Sequence, residues 1–181
     1  MEQHNEKIIY QWRIFQLIQK EVKGKIFEIA RRSPGVRLLI TEWDKILLTK
    51  EYRHEHESYD YRLPGGKVFD TIDEFNEKLA NNENILQHAE IAAKKECKEE
   101  TGLIPQKLQH FHTSKAGATV ERDLYYFIVK EFTTSEKGQE LEKGEDITVE
   151  RKTKEEVKEL CLSWAIKEER SVGVLLRFLL S

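Results

Sequence analysis

The sequence predicts an α/β fold, an α/β/α sandwich around a mixed β-sheet with a small N-terminal arm. Three observations carry this. Apolar runs rich in β-branched and aromatic residues recur at 36–41, 46–53 and 123–130, each bounded by turn residues. A long helical stretch from Ile85 to Gly102 sets the small residues Ala89, Ala93 and Cys97 four apart, so that it packs closely on a sheet. The C-terminal run 172–180 is apolar enough for a second core-packing helix. Strands with helices on both sides give the sandwich.

The chain has 181 residues, 39% apolar and 35% charged, with a formal charge of −3. That suits one ordinary domain with a real core and argues against disorder. The near-neutral balance gives no electrostatic case for nucleic-acid binding. Cys97 and Cys161 lie far apart without metal-type spacing, which excludes a disulfide framework or a zinc site. Residues 1–7 are polar and no apolar run approaches membrane-spanning length, so a cytoplasmic protein without membrane attachment is expected.

Residues 8–22 fit two patterns. Ile8, Trp12, Phe15 and Ile18 recur at helical spacing, yet Ile8-Ile9-Tyr10 and Ile14-Phe15 suit strands equally. Lys23-Gly24-Lys25 reads as a hairpin turn into a strand at 26–30. After Ser33-Pro34-Gly35 come the strand 36–41, a turn at Trp43-Asp44-Lys45, and the strand 46–53 ending in Tyr52-Arg53. His54 and His56 alternate, but without further soft ligands nearby they read as surface histidines. A third strand at 59–63 delivers Leu63-Pro64-Gly65-Gly66-Lys67-Val68, a turn whose glycines leave the backbone open to a ligand.

Residues 70–84 contain a short helical stretch at 73–79 and an asparagine-rich loop. This segment either overhangs a cleft or is a passive excursion, since surface insertions cost little. Beyond the long helix, 107–112 alternates as a strand, 114–119 is a loop, and 133–145 is a polar, acidic loop holding Glu140, Glu142 and Glu145. A strand is expected at 146–149. Thr153-Lys154-Glu155-Glu156 marks a helix N-terminus.

The chemistry concentrates in Lys95-Glu96-Cys97-Lys98-Glu99-Glu100-Thr101-Gly102-Leu103. On a helix, Glu96, Glu99 and Glu100 lie in one narrow sector. Stacked like charges cost stability unless a cation sits among them, and a hard divalent ion such as Mg²⁺ takes carboxylate oxygens. A solvated acidic face is the alternative. With the upstream Pro-Gly-Gly turn, the stretch resembles the Nudix box: Gly, five residues, Glu, seven residues, then Arg-Glu-hydrophobic-x-Glu-Glu-x-Gly-hydrophobic. Two departures stand out, Lys95 for the family's Arg and Gln87 for its Glu. The first half is also stretched by about fifteen residues.

The hairpin ending in Tyr52-Arg53 before Leu63-Pro64-Gly65-Gly66 looks like the ADP-ribose and nucleotide-sugar pyrophosphatase branch. The resemblance implies Mg²⁺-dependent hydrolysis of a nucleoside diphosphate derivative, with Mn²⁺ as a substitute ion. Glu96, Glu99, Glu100 and the Gly65 carbonyl would hold the metal. Glu99, Glu100 or Glu145 would serve the attacking water. Arg53, Lys67 and Gly66 would hold the substrate. Lys95 would brace the helix carboxylates as one ammonium rather than a fork. The resemblance also implies a homodimer made through a β arm at 1–32, with the Nudix domain at 33–181. The rivals are a non-catalytic Nudix-like nucleotide-sugar binder and an enzyme of RNA 5′ ends.

Overall fold

The structure, a computed structural model, describes residues 5–54 and 57–181. His56 lies outside the described residues. The N-terminal segment resolves as strands: β1 (Asn5–Gln11), β2 (Phe15–Val22) and β3 (Lys25–Arg32) form an antiparallel meander. The helical spacing loses because alternate residues of β2 bury, Gln16 and Ile18 among them.

The central sheet runs in the order β12-β5-β4-β10-β8, with β6 also on β5. Its strands are β4 (Gly35–Glu42), β5 (Lys45–Arg53), β6 (Ser58–Arg62), β8 (Leu108–Ser114), β10 (Leu124–Val129) and β12 (Ile147–Thr153). β10 is parallel to β4 and the other pairings are antiparallel, so the sheet is mixed. β12 runs four residues further than its apolar part predicts. Its charged end, Glu150-Arg151-Lys152, suits a sheet edge. Three short strands were not expected: β7 (Leu103–Pro105) pairs with β11 (Phe132–Thr134), and β9 (Val120–Glu121) joins β3. The last pairing ties the arm to the main body.

Side-chain alternation splits the core in two. Val36, Leu38, Ile40, Leu47, Tyr125, Phe127 and Val129 face helix α2 (Ile85–Thr101), which buries Ala89, Ala92, Ala93 and Cys97 against them. The opposite face, with Leu39, Ile46, Leu48 and Tyr126, packs on α3 (Lys154–Leu162) and α4 (Glu169–Leu180). The result is the expected sandwich. α3 starts in a complete Thr153/Glu156 capping box. Gly102 ends α2 at φ 69°, the left-handed conformation in which a side chain would be strained.

The inserted segment forms α1 (Ile72–Ala80). It is not a passive excursion. Ile72 N–H donates to the Arg13 carbonyl, Gln11 Nε2 to Asp73 Oδ1 at 2.7 Å, and Asn76 Nδ2 to Gln16 Oε1 at 2.9 Å. Helix and arm therefore brace each other.

Candidate active site

β4 and β5 pair only at Thr41 and Glu42, so the two strands splay apart toward the start of β4. The Leu63–Val68 stretch lies along the freed edge of β4: Leu38 N–H donates to the Pro64 carbonyl, Val36 N–H to the Gly66 carbonyl, and Val68 N–H to the Pro34 carbonyl. Gly65 sits at φ 144°, and a β-carbon there would collide with the Val36 carbonyl. A β-carbon on Gly66 would run into the Glu96 carboxylate. Both positions exclude a side chain for separate reasons, one backbone packing and one the approach of α2.

α2 crosses this turn. Gly65 N–H donates to Glu100 Oε2 at 2.7 Å, and Glu96 abuts Gly66. Burial pushes the Glu100 carboxyl up to about 8, helped by the charges of Glu96 and Glu145 and opposed by the Gly65 amide and Arg37. Burial likewise pushes Glu96 up to about 7, with Lys95 opposing and Glu99, Glu145 and Glu142 adding to the rise. At both carboxyls burial outweighs the opposing charges of Lys95 and Arg37.

Glu99 turns aside. Lys95 Nζ meets its Oε2 at 3.3 Å, one turn along the helix, so the lysine braces one carboxylate of the three. Among the described residues no three His, Cys, Asp or Glu side chains converge into a ready metal cluster. The reason is visible in the contacts: Glu100 is drawn to the Gly65 amide and Glu99 to Lys95. The donors still fit a hard cation. They are all oxygen, and at two of them burial outweighs the nearby positive charges.

The remaining predicted residues distribute unevenly. Arg53 lies on the α2 face of β5, Nη2 2.6 Å from Glu51 Oε2, with its buried Nε unbonded. Lys67 is half-exposed and 3.4 Å from Asp70. Glu145 is exposed, and its Oε2 accepts from Glu142 N–H at 2.9 Å in the acidic loop. Its charge reaches both Glu96 and Glu100, whereas Glu140 is drawn off to Lys98 at 2.6 Å. Gln87 is exposed in the first turn of α2, away from the carboxylates. A cleft of about 540 Å³ opens beside Glu96, between α2 and α1, with Lys67, Lys78, His88, Lys95 and Glu142 in its walls.

Sequence reasoning passed over Arg37. This buried β4 residue binds Glu168, just before α4, through Nε at 2.8 Å and Nη2 at 2.9 Å. A lone arginine within the apolar run Val36-Arg37-Leu38-Leu39 was the available signal, because a buried guanidinium requires a partner.

A family model of the NUDIX domain matches residues 31–165. The chain belongs to the Nudix family. Among solved structures, one described as an ADP compounds hydrolase is similar with 21% identity and a TM-score of 0.67. The match covers 97% of this chain and 89% of that one. At that identity the likeness speaks for the Nudix fold, arm included. No curated protein matches the chain. As a Nudix hydrolase it is placed among enzymes that cleave diphosphate links in nucleotide derivatives and generally use divalent metals. Among the described residues no helix is long and apolar enough to cross a membrane.

Proposed function

We propose that this Nudix hydrolase splits the diphosphate of an ADP-ribose-like or nucleotide-sugar substrate into two phosphomonoesters, with Mg²⁺, in the cytoplasm. The observation that carries the reading is the pair of carboxylates, Glu96 and Glu100, pressed against the Pro64-Gly65-Gly66 turn, where burial outweighs the charges of Lys95 and Arg37. Glu96, Glu99, Glu100 and the Gly65 carbonyl would hold the Mg²⁺, which would supply charge neutralisation of the diphosphate and activation of water. Gly66 admits the diphosphate to the backbone. Arg53 and Lys67 supply positive charge to it, Arg53 through the guanidinium edge that its Glu51 contact leaves unused. Glu145, near enough to act on both buried carboxylates, takes the proton of the attacking water, with Glu99 or Glu100 as the other candidates.

The arm (residues 1–32) is the dimerisation segment in this reading, and residues 33–181 are the catalytic domain. Ile8, Ile9, Tyr10, Ile26 and Phe27 are exposed on the arm, with Ile26 66% exposed, and this supports coverage by a second copy.

Incubation with Mg²⁺ and a panel of ADP-ribose, GDP-mannose, dinucleoside polyphosphates, nucleoside triphosphates and short 5′-triphosphate RNA tests the activity. Turnover of ADP-ribose or GDP-mannose to two phosphomonoesters, lost in EDTA, is the expected result. Tight binding without turnover would replace the enzyme by a binding module, and light scattering at the monomer mass would remove the dimer.

A further inference from the structure

A second cavity, of about 410 Å³, lies between the arm, α1 and the loop leading into β10. Four cations line it, Arg31, Arg32, Lys115 and Arg122, against two carboxylates, Glu121 and Asp123. Arg31 is already committed: it binds Glu121 at 2.6 Å and Glu6 at 2.9 Å. Arg32, Lys115 and Arg122 form no ion pair among the described residues. Arg122 has the least favourable surroundings. Its buried Nε has no hydrogen-bond partner. Burial and the charges of Arg32, Arg37 and Arg170 push its guanidinium down to about 10, and Glu168, whose charge opposes that fall, is taken up by Arg37. A guanidinium with a buried, unbonded Nε among like charges is stabilised by an anion that arrives to share it.

The rest of the lining is apolar or aromatic: Pro34, Phe75, Leu79, Ile85, Val120 and Tyr125. Phe75 and Leu79 belong to the inserted helix, so the wall that closes this cavity is a feature of the insertion. A lining that combines cations with apolar and aromatic side chains suits an organic phosphate more than a bare anion, and the volume falls in the range of small-ligand sites. The cavity shares no lining residue with the cleft beside Glu96. The two adjoin at Gly35, where Arg122 Nη2 and the Gly66 carbonyl come to 3.6 and 3.0 Å from where its β-carbon would lie.

We propose that this cavity is a second ligand site, binding a nucleoside monophosphate with its phosphate on Arg122 and Arg32 and its base against Phe75 and Leu79. The inference goes beyond the hydrolase reading, and its test needs no turnover. Isothermal titration of the full chain with AMP and GMP, in EDTA so that no divalent ion recruits phosphate to the carboxylates, reads the site directly. Saturable 1:1 binding of at least one of them is expected. Arg122→Gln should weaken it tenfold or more, and adenosine should bind at least tenfold more weakly than AMP. Leu79→Asp, at an exposed position that leaves the fold intact, should weaken it by placing a carboxylate at the cavity wall. Two results would overturn the assignment: absence of binding by both nucleotides in EDTA, or affinities unchanged in both variants. Inorganic phosphate binding as tightly as AMP would overturn the nucleoside part of it.

Discussion

Glu100→Gln is expected to abolish hydrolysis, by about 10²-fold or more in kcat, while the melting temperature without metal stays level or rises. The expectation follows from what Glu100 does in the folded chain. Its Oε2 accepts the Gly65 amide at 2.7 Å, and a glutamine oxygen accepts the same bond. What glutamine removes is a carboxylate held far from its ordinary range by burial, next to Glu96 and within the field of Glu145. Near neutral pH burial already keeps this carboxyl largely protonated in the metal-free chain, so a neutral glutamine costs the fold little. For catalysis the charge is the useful part, because a neutral amide holds a divalent ion weakly. Differential scanning fluorimetry with and without Mg²⁺ separates the two effects: the ion should raise the melting temperature of the wild-type chain by mass action and move the variant much less. Parallel falls in rate and metal-free melting temperature would mean that Glu100 is a structural residue, and the site assignment would fail with it.

The parts of this site that were legible in the sequence are those governed by local spacing. Three carboxylates within five residues, a small-residue stripe and a closing glycine place Glu96, Glu99 and Glu100 on one helix and set that helix on a sheet. The turn at Gly65 and Gly66 was legible for the same reason. What spacing could not show was how the carboxylates divide. Glu100 meets a backbone amide 35 residues away, while Glu99 takes the lysine one turn back. The arm stayed ambiguous because the apolar and polar mixture of residues 8–22 satisfies both periods. Pairing with β3 settles it, and no local signal contains that. The two-residue and three-residue strands β7, β9 and β11 are fixed by their partners rather than by their own composition. The insertion was visible as a length anomaly, but its bonds to Arg13, Gln11 and Gln16 span about sixty residues.

The longest of these hidden contacts carries the largest expected stability effect. Glu168→Gln should cost about 3 kcal/mol at pH 7, a fall in melting temperature on the order of 10 °C. Arg37 is fully buried on the α4 face of β4, and both its Nε and Nη2 end on Glu168, which also accepts from Ser171 Oγ at 2.6 Å. Burial alone would raise the Glu168 carboxyl, but the Arg37 charge and hydrogen bonds outweigh it and hold the group at about 2. The sign is that of a depressed acid. The folded chain releases this proton more readily than the unfolded one, so the pair contributes its full stability above about pH 4.5. That contribution is lost as pH falls toward 2. The difference between wild type and Glu168→Gln, measured by denaturant unfolding, should therefore be constant near neutrality and shrink between about pH 4.5 and 2. A difference that held through that window would mean the glutamate acts by packing alone. Replacing both partners, Arg37→Met with Glu168→Leu, should cost less than Glu168→Gln, because no buried charge is then left unmatched. The pair underlies the site as well as the fold: a β-carbon on Gly65 would lie 3.0 Å from Arg37 Cα, and the arginine's charge opposes the rise at Glu100. Loosening the pair removes support from the strand against which the Pro64-Gly65-Gly66 turn is bonded.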